Sequence, residues 1–252
     1  MFKLIKYELR STFLTILGIC ISVIIANLFL MTKKDTWGVA VPGLSTCLII
    51  GAIVVIFISS LKIMSKYLHG DEGYLLFTLP QSGMSIITSR LITALIQISI
   101  VLFVSILMFN FTVPDKTFLD LFKDFKLSQV FFSIIVYIWG LVSSLTFIYF
   151  CMVIGKVALK GKKLGKIGSF IIFIILSIAI SWLSTKITTA FPQTLNFGGF
   201  TLANSFKTPN SSFSLSGVAL NINIANVIFE IITFAGFFIT TTYLIDKKLD
   251  LS

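Results

Sequence analysis

Six stretches of the chain run almost without charge for the length that a bilayer crossing needs: about 12–31, 40–61, 88–112, 129–154, 168–190 and 223–245. A crossing takes roughly 20 mostly apolar residues when it is helical. No alternation of apolar and polar positions recurs along them as it would in a barrel, so each stretch predicts a helix. Smaller elements show in the gaps. Phe2, Ile5 and Leu9 share one helical face and Lys3, Lys6 and Arg10 a neighbouring one, which predicts an interfacial helix before the chain turns into the first span. Thr117 to Asp120 resembles a capping box, opening a short amphipathic run with Phe118, Leu121, Phe122 and Phe125 on one side. The segment 191–222 is nearly uncharged and carries Phe191, Phe197, Phe200, Phe206 and Phe213 among Gly, Asn and Ser. Its apolar surface predicts a re-entrant-like dip into the membrane interface, or packing on the spans.

Composition agrees with that pattern. Of 252 residues, 56% are hydrophobic and 12% charged, and 26 are Phe. A soluble core could not absorb so much apolar surface, so the fold class is an all-α polytopic membrane protein, read as a single transmembrane domain over 1–252. The net charge of +10 then concerns orientation, not nucleic acid. Lys3, Lys6 and Arg10, then Lys62, Lys66 and Arg90, the five lysines of 155–167, and Lys247 with Lys248 fall on one side of a six-span layout. Lys33, Lys34, Lys116, Lys123, Lys126, Lys186 and Lys207 fall on the other. The richer side is expected to be cytoplasmic, which puts both termini inside. Cys20, Cys47 and Cys151 sit in apolar runs and predict no disulfide. The uncharged run after Arg10 is too long for a signal-peptide core and has no small-residue cleavage site, so it reads as a retained first span.

Motifs for chemistry are few. Gly161 to Ile167 is one residue short of a phosphate-binding loop and has Ile167 where a Ser or Thr should hold magnesium. His69 is the single histidine, so a histidine-based metal site has no second imidazole, and a solvated loop is the expected setting. No nucleophile or zinc-hydrolase signature occurs. Glu230 is the one acid within the six stretches, roughly 9 Å from the outer end of its span, with Lys186 of the preceding span at roughly 6 Å by the same rise. An ion pair between them, a contact to a substrate pathway and snorkelling to the interface all fit Glu230. Asn27, Gln97 and Asn110 are the other polar pathway candidates, and their commoner use is hydrogen bonding between helices.

Between the second and third stretches stands GDEGYLLFTLPQSG, Gly70 to Gly83. Asp71 and Glu72 suit the positive end of a short helix, Tyr74 to Leu79 give it an apolar body, and Pro80 stops it. Ser82 is placed to cap the helix that follows. An apolar knob flanked by acids suits a groove on a soluble partner. Asp71-Glu72-Gly73-Tyr74-Leu75 and Thr78-Leu79-Pro80-Gln81-Ser82 resemble the first cytoplasmic loop of the permease subunits of ABC-type-2 exporters, and the layout of the whole chain is similar to theirs. Within that family the chain looks most like small Gram-positive permeases that export antimicrobial or toxin peptides or confer resistance to them. The resemblance implies a multi-pass protein of the bacterial cell membrane, with a coupling helix at about 71–80. Asp71, Glu72, Gly73, Tyr74, Leu75, Phe77 and Leu79 would contact the ATPase. It implies two ATPase chains and a second permease chain, identical or a paralogue, because six spans make half a pathway. This chain would bind no cofactor and catalyse nothing itself, with ATP and magnesium held by the partner ATPase. The cargo would be an amphipathic peptide. Two other readings fit the same spans: an exporter of lipid or hydrophobic drug, and a non-transporting immunity or sensing protein that binds a toxin.

Overall fold

The computed structural model describes residues 2–38, 40–69, 82–112, 127–158, 165–196, 201–204 and 221–247. The chain order is α1 (Phe2–Thr32), a short α2 (Lys34–Trp37), α3 (Ala40–His69), α4 (Gly83–Thr112), α5 (Leu127–Ala158), α6 (Gly165–Ala190), strands β1 (Gln193–Asn196), β2 (Thr201–Asn204) and β3 (Asn221–Asn223), then α7 (Ile224–Lys247). Six of these helices, α1 and α3–α7, are long and apolar enough to cross a membrane. The chain is thus built as a multi-pass membrane protein, with helices at the six expected places.

The helices outrun the apolar stretches, and the excess is informative. The spanning part of α1, Leu4–Thr32, has 29 residues. At 1.5 Å per residue that is about 44 Å, the full thickness of a bilayer with its headgroups. The basic residues 2–10 therefore continue the first span in one unbroken helix, where a separate interfacial helix with a turn after it was expected. Likewise His69, expected on a solvated loop, is the last residue of α3. The coupling segment 71–80 and the amphipathic run 117–125 lie outside the described residues.

Local rules explain the joints. Gly38, just after α2, has φ +44°, the left-handed conformation that ends helices and that Gly adopts without strain. Pro42 stands in the first turn of α3, where its missing N–H has no partner to lose. Ser82 precedes α4, and its carbonyl accepts from the N–H of Ser85 (2.9 Å) and of Ile86 (3.2 Å), so the helix starts where its capping residue predicted. Asn223 caps α7: its Oδ1 accepts from the N–H of Asn226 at 3.0 Å.

Contacts divide the chain into two compact units, one of residues 1–127 with Val136–Leu145, the other of 128–135 with 146–250. In the first, α4 is the central element, packed on both α1 and α3. It buries Ile86, Ile87, Leu91, Ala94, Ile98 and Val101, with Ser89, Thr93 and Ser105 between them. Lipid tails are as apolar as these side chains, so burial alone drives little association in a bilayer. Close packing and hydrogen bonds between helices supply the difference, and small residues such as Ser89 and Ala94 let the backbones approach.

The second unit packs aromatics. The Phe147 ring lies 5.3 Å from that of Phe173 and 5.4 Å from that of Phe237, and Phe150 sits 4.5 Å from Phe237. Gly155 of α5 meets Ser169 of α6 so closely that a Cβ there would stand 2.8 Å from the Ser169 Cα. The described strands form an antiparallel sheet in the order β2-β1-β3, pairing Thr194 with Ala203 and with Asn223. The all-α expectation therefore holds for the spans, while part of the 191–222 segment is strand. Strands of 4, 4 and 3 residues are too short for an alternation of apolar and polar positions to stand out in the sequence.

Candidate functional site

Glu8 is the residue that the sequence concealed. It lies on α1 one turn in from Leu4, flanked by Tyr7 and Leu9, with its side chain only 11% exposed. Such a carboxylate needs partners. Arg90 of α4 supplies the first: its Nη2 stands 3.3 Å from Glu8 Oε1. Thr93, one turn further along α4, donates to Glu8 Oε2 at 3.1 Å and also to the carbonyl of Ser89 at 2.8 Å.

Arg90 joins three helices. Besides Glu8 on α1, its Nη1 donates to the carbonyl of Ile63 on α3 at 2.8 Å, and its guanidinium lies 4.9 Å from the ring centre of Tyr67. A cation is favoured there, because the carbonyl end of the α3 dipole points that way. One layer deeper, Gln97 Nε2 donates to Thr12 Oγ1 at 2.8 Å, tying α4 to α1 again. Not every polar atom is satisfied: Glu8 Oε1, for all its proximity to the guanidinium, and Arg90 Nε and Gln97 Oε1 make no hydrogen bond among the described residues.

A second polar knot closes the opposite end of the same three helices. Ser45 of α3 donates to Asn27 Oδ1 at 2.7 Å, Thr112 of α4 donates to the same atom at 3.4 Å, and Asn27 Nδ2 donates to the Val23 carbonyl at 2.9 Å. From Glu8 to Asn27 along α1 is about 28 Å. The hydrocarbon layer is about 30 Å thick. The knots are thus spaced to lie at the two rims of the hydrocarbon, each holding α1, α3 and α4 together where a polar side chain is cheapest.

Beside the Glu8–Arg90 knot is a cavity of about 340 Å³ between α1 and α3, lined by Tyr7, Glu8, Ser11, Thr12, Ser59, Lys62, Lys66, Tyr67 and Arg90 among others. Lys62 and Lys66 stand one turn apart on α3 and are exposed. Thr15 lines this cavity and also an apolar groove of about 700 Å³ that continues between the same two helices.

The pathway candidates distribute as follows. Gln97 and Asn27 are fully buried, one in each knot, so both make the helix-to-helix bonds that are the commoner use of such residues. Asn110 is half-buried on α4. Glu230, in the other unit, is exposed and accepts from Asn226 Nδ2 at 2.9 Å, while Ser184 donates to Asn226 Oδ1 at 2.6 Å. The expected Lys186–Glu230 pair does not form: the Lys186 ammonium lies over the Trp182 ring, 5.8 Å from its centre. A nearby amide satisfies the carboxylate locally, and a neighbouring indole on its own helix does the same for the lysine. Asp71, Glu72, Gly73, Tyr74, Leu75, Phe77 and Leu79 lie outside the described residues. Among the described residues, no three His, Cys, Asp or Glu side chains are grouped to hold a metal.

Glu8 escaped notice because it lies outside the uncharged run, among basic neighbours that suggested an interface. A signal was present in the helical spacing of Glu8 with Thr12 and of Arg90 with Thr93 and Gln97, polar positions three and four apart that each make one face. Comparison of the chain with protein-family models, with curated proteins and with solved structures gives no match to any of them.

Proposed function

We propose that the chain is the permease subunit of an ATP-driven exporter, working as one of a pair and powered by two separate ATPase subunits. Its cargo is an amphipathic molecule, most simply an antimicrobial or toxin peptide taken up from the cytoplasmic leaflet. The observation that carries the reading is the stretch Asp71-Glu72-Gly73-Tyr74-Leu75 with Thr78-Leu79-Pro80, set between two spans and similar to the coupling loop of ABC-type-2 permeases. The geometry around it supports a mechanical role. The helices on either side, α3 and α4, are tied to one another and to α1 within about three turns of the segment, through Arg90, Ile63, Tyr67 and Glu8. A force on the segment would therefore act on three spans together and not on a slack loop.

In this reading Glu72 makes a charge-assisted contact to the ATPase, and Tyr74, Leu75, Phe77 and Leu79 fill an apolar groove on it. Closure of the ATPases on ATP displaces the segments and rearranges the two six-helix halves. Work enters through packed helices because such packing switches between discrete arrangements.

The test is co-purification with an ABC-type ATPase, sought first in the reading frames beside this one, followed by reconstitution. The full chain is expected to retain the ATPase, and a Glu72→Ala, Phe77→Ala chain to retain it at least about tenfold more weakly, as loss of two anchor contacts does. Peptide cargo is expected to stimulate ATP hydrolysis. If no ATPase is retained, or if the double variant binds it as tightly, the proposal fails.

A further inference from the structure

We infer that the face shared by α6 and α7 holds a cationic group, the ammonium or guanidinium of an amphiphilic cargo, against the carboxylate of Glu230. That the amphiphile is cargo rests on the transport reading. The site itself needs only the two helices.

A short relay of side chains aims the carboxylate. Ser181, Ser184 and Thr188 recur three and four apart and so share one side of α6. Ser184 turns that side toward α7 by donating to Asn226 Oδ1 at 2.6 Å. Asn226 is fixed in turn, since its N–H donates to Asn223 Oδ1 at 3.0 Å, and its Nδ2 donates to Glu230 Oε1 at 2.9 Å. Glu230 Oε2 is left with no hydrogen bond among the described residues.

Depth and charge say what that oxygen is for. Hydroxyls cost little in a bilayer, and those of Thr185 and Thr188 donate to carbonyls one turn back on their own helix. A carboxylate is different. The 24 residues of α7 make about 36 Å of helix, about 6 Å more than the hydrocarbon layer, so a centred helix carries Glu230, roughly 9 Å from its strand end, about 6 Å inside the rim. Acids at such depth face a water-filled route or a cation, not lipid. Glu230 is exposed, and no cation among the described residues pairs with it, because the Lys186 ammonium lies over Trp182 of its own helix. One carboxylate with a single amide makes no cage for a metal ion. Phe234 and Phe238, four and eight residues further on, continue the face of Glu230 into the membrane, their rings stacked 6.0 Å apart. An acid followed by aromatic rings suits a cation carried on an apolar body, and the rings add their own attraction for the charge.

The full chain in dodecylmaltoside, treated with a water-soluble carbodiimide and glycine ethyl ester, reports on Glu230 through mass spectrometry of the peptide that carries it. Hexyltrimethylammonium is expected to slow modification of Glu230 severalfold, and hexanol and hexanesulfonate to leave it unchanged. Asp246, at the far end of α7, is expected to react at the same rate throughout. Glu230→Gln, nearly identical in shape, is expected to lose the excess of thermal protection that hexyltrimethylammonium gives over hexanol, in protein that elutes as the parent does. Failure of Glu230 to react with the water-soluble reagent, equal protection by hexanol, or an excess of thermal protection that survives Glu230→Gln would each overturn the inference. Protection by added phosphatidylethanolamine as strong as that by hexyltrimethylammonium would assign the site to a lipid headgroup and overturn it equally. None of these measurements needs an ATPase, so failure to retain one ends the transport proposal and leaves the cation site, while loss of protection does the reverse.

Discussion

A single carboxylate, Glu8, sets the chemistry of the basic end of the α1–α3–α4 core. Its pairing with Arg90 is a buried one, and such pairs cost much of what they return, because both ions give up water. The asymmetry lies in breaking it. Glu8→Ala leaves a buried guanidinium without its carboxylate and is expected to lower stability by about 3 kcal/mol. Glu8→Leu combined with Arg90→Met removes both charges and is expected to recover a good part of that loss, read as apparent melting temperature in detergent. A double variant no more stable than Glu8→Ala would show that the pair's charge is not what matters. At the other rim, Asn27→Leu strips Ser45 and Thr112 of their shared acceptor. Hydrogen bonds between spans average about 0.6 kcal/mol, so a loss of about 1 kcal/mol is expected in the same assay. The two knots thus differ in kind: one resists removal of charge, the other is a modest clamp.

Helix contacts make a different prediction. Gly155 is fixed by the main chain of Ser169, not by its hydroxyl alone. Gly155→Val is expected to force α5 and α6 apart at a cost of about 1–3 kcal/mol, and adding Ser169→Ala is expected not to restore it, because the Cα remains in the way. Thermal unfolding of Gly155→Val, with and without Ser169→Ala, decides this. The elements also show what the chain made legible. Uncharged runs located all six spans, because a bilayer tolerates little else for that length. Helix ends were hidden, since Lys6 and Arg10 read as a separate interfacial helix and Lys62 and Lys66 as loop residues, although a spanning helix can carry such side chains into the headgroup layer. Half of the polar clamp was visible as Asn27 and Gln97, whose amides stand out in apolar runs. Glu8 and Arg90 stand at charged ends of spans, where only the helical spacing of each with its polar neighbours hints at a shared face. Lys186 and Glu230 were matched by depth alone, and equal depth says nothing about facing.

For the whole molecule, charge asymmetry fixes the expected orientation. The basic ends of α1, α3 and α4 carry Lys6, Arg10, Lys62, Lys66 and Arg90, against Lys33 at the opposite end among the described residues of these helices whose side chains are placed. A fluorescent protein fused after Ser252 is expected to mature in the cytoplasm, and alkaline phosphatase at the same position to stay inactive. The reverse pattern would invert the membrane and move segment 71–80 away from any cytoplasmic ATPase, which would end the coupling proposal at once.

Biosynthesis meets the Glu8 arrangement before function does. Glu8 emerges with the first span, while Thr93, which donates to it, comes 85 residues later and Arg90 only just before that. At 5–20 residues per second the ribosome needs about 4–17 s to deliver them. During that wait the first span must keep its acid at the membrane surface, or the insertion machinery must shield it. Substitutions at Arg90 are therefore expected to show first as nascent chains cleared by quality-control proteases, ahead of any defect in a finished protein.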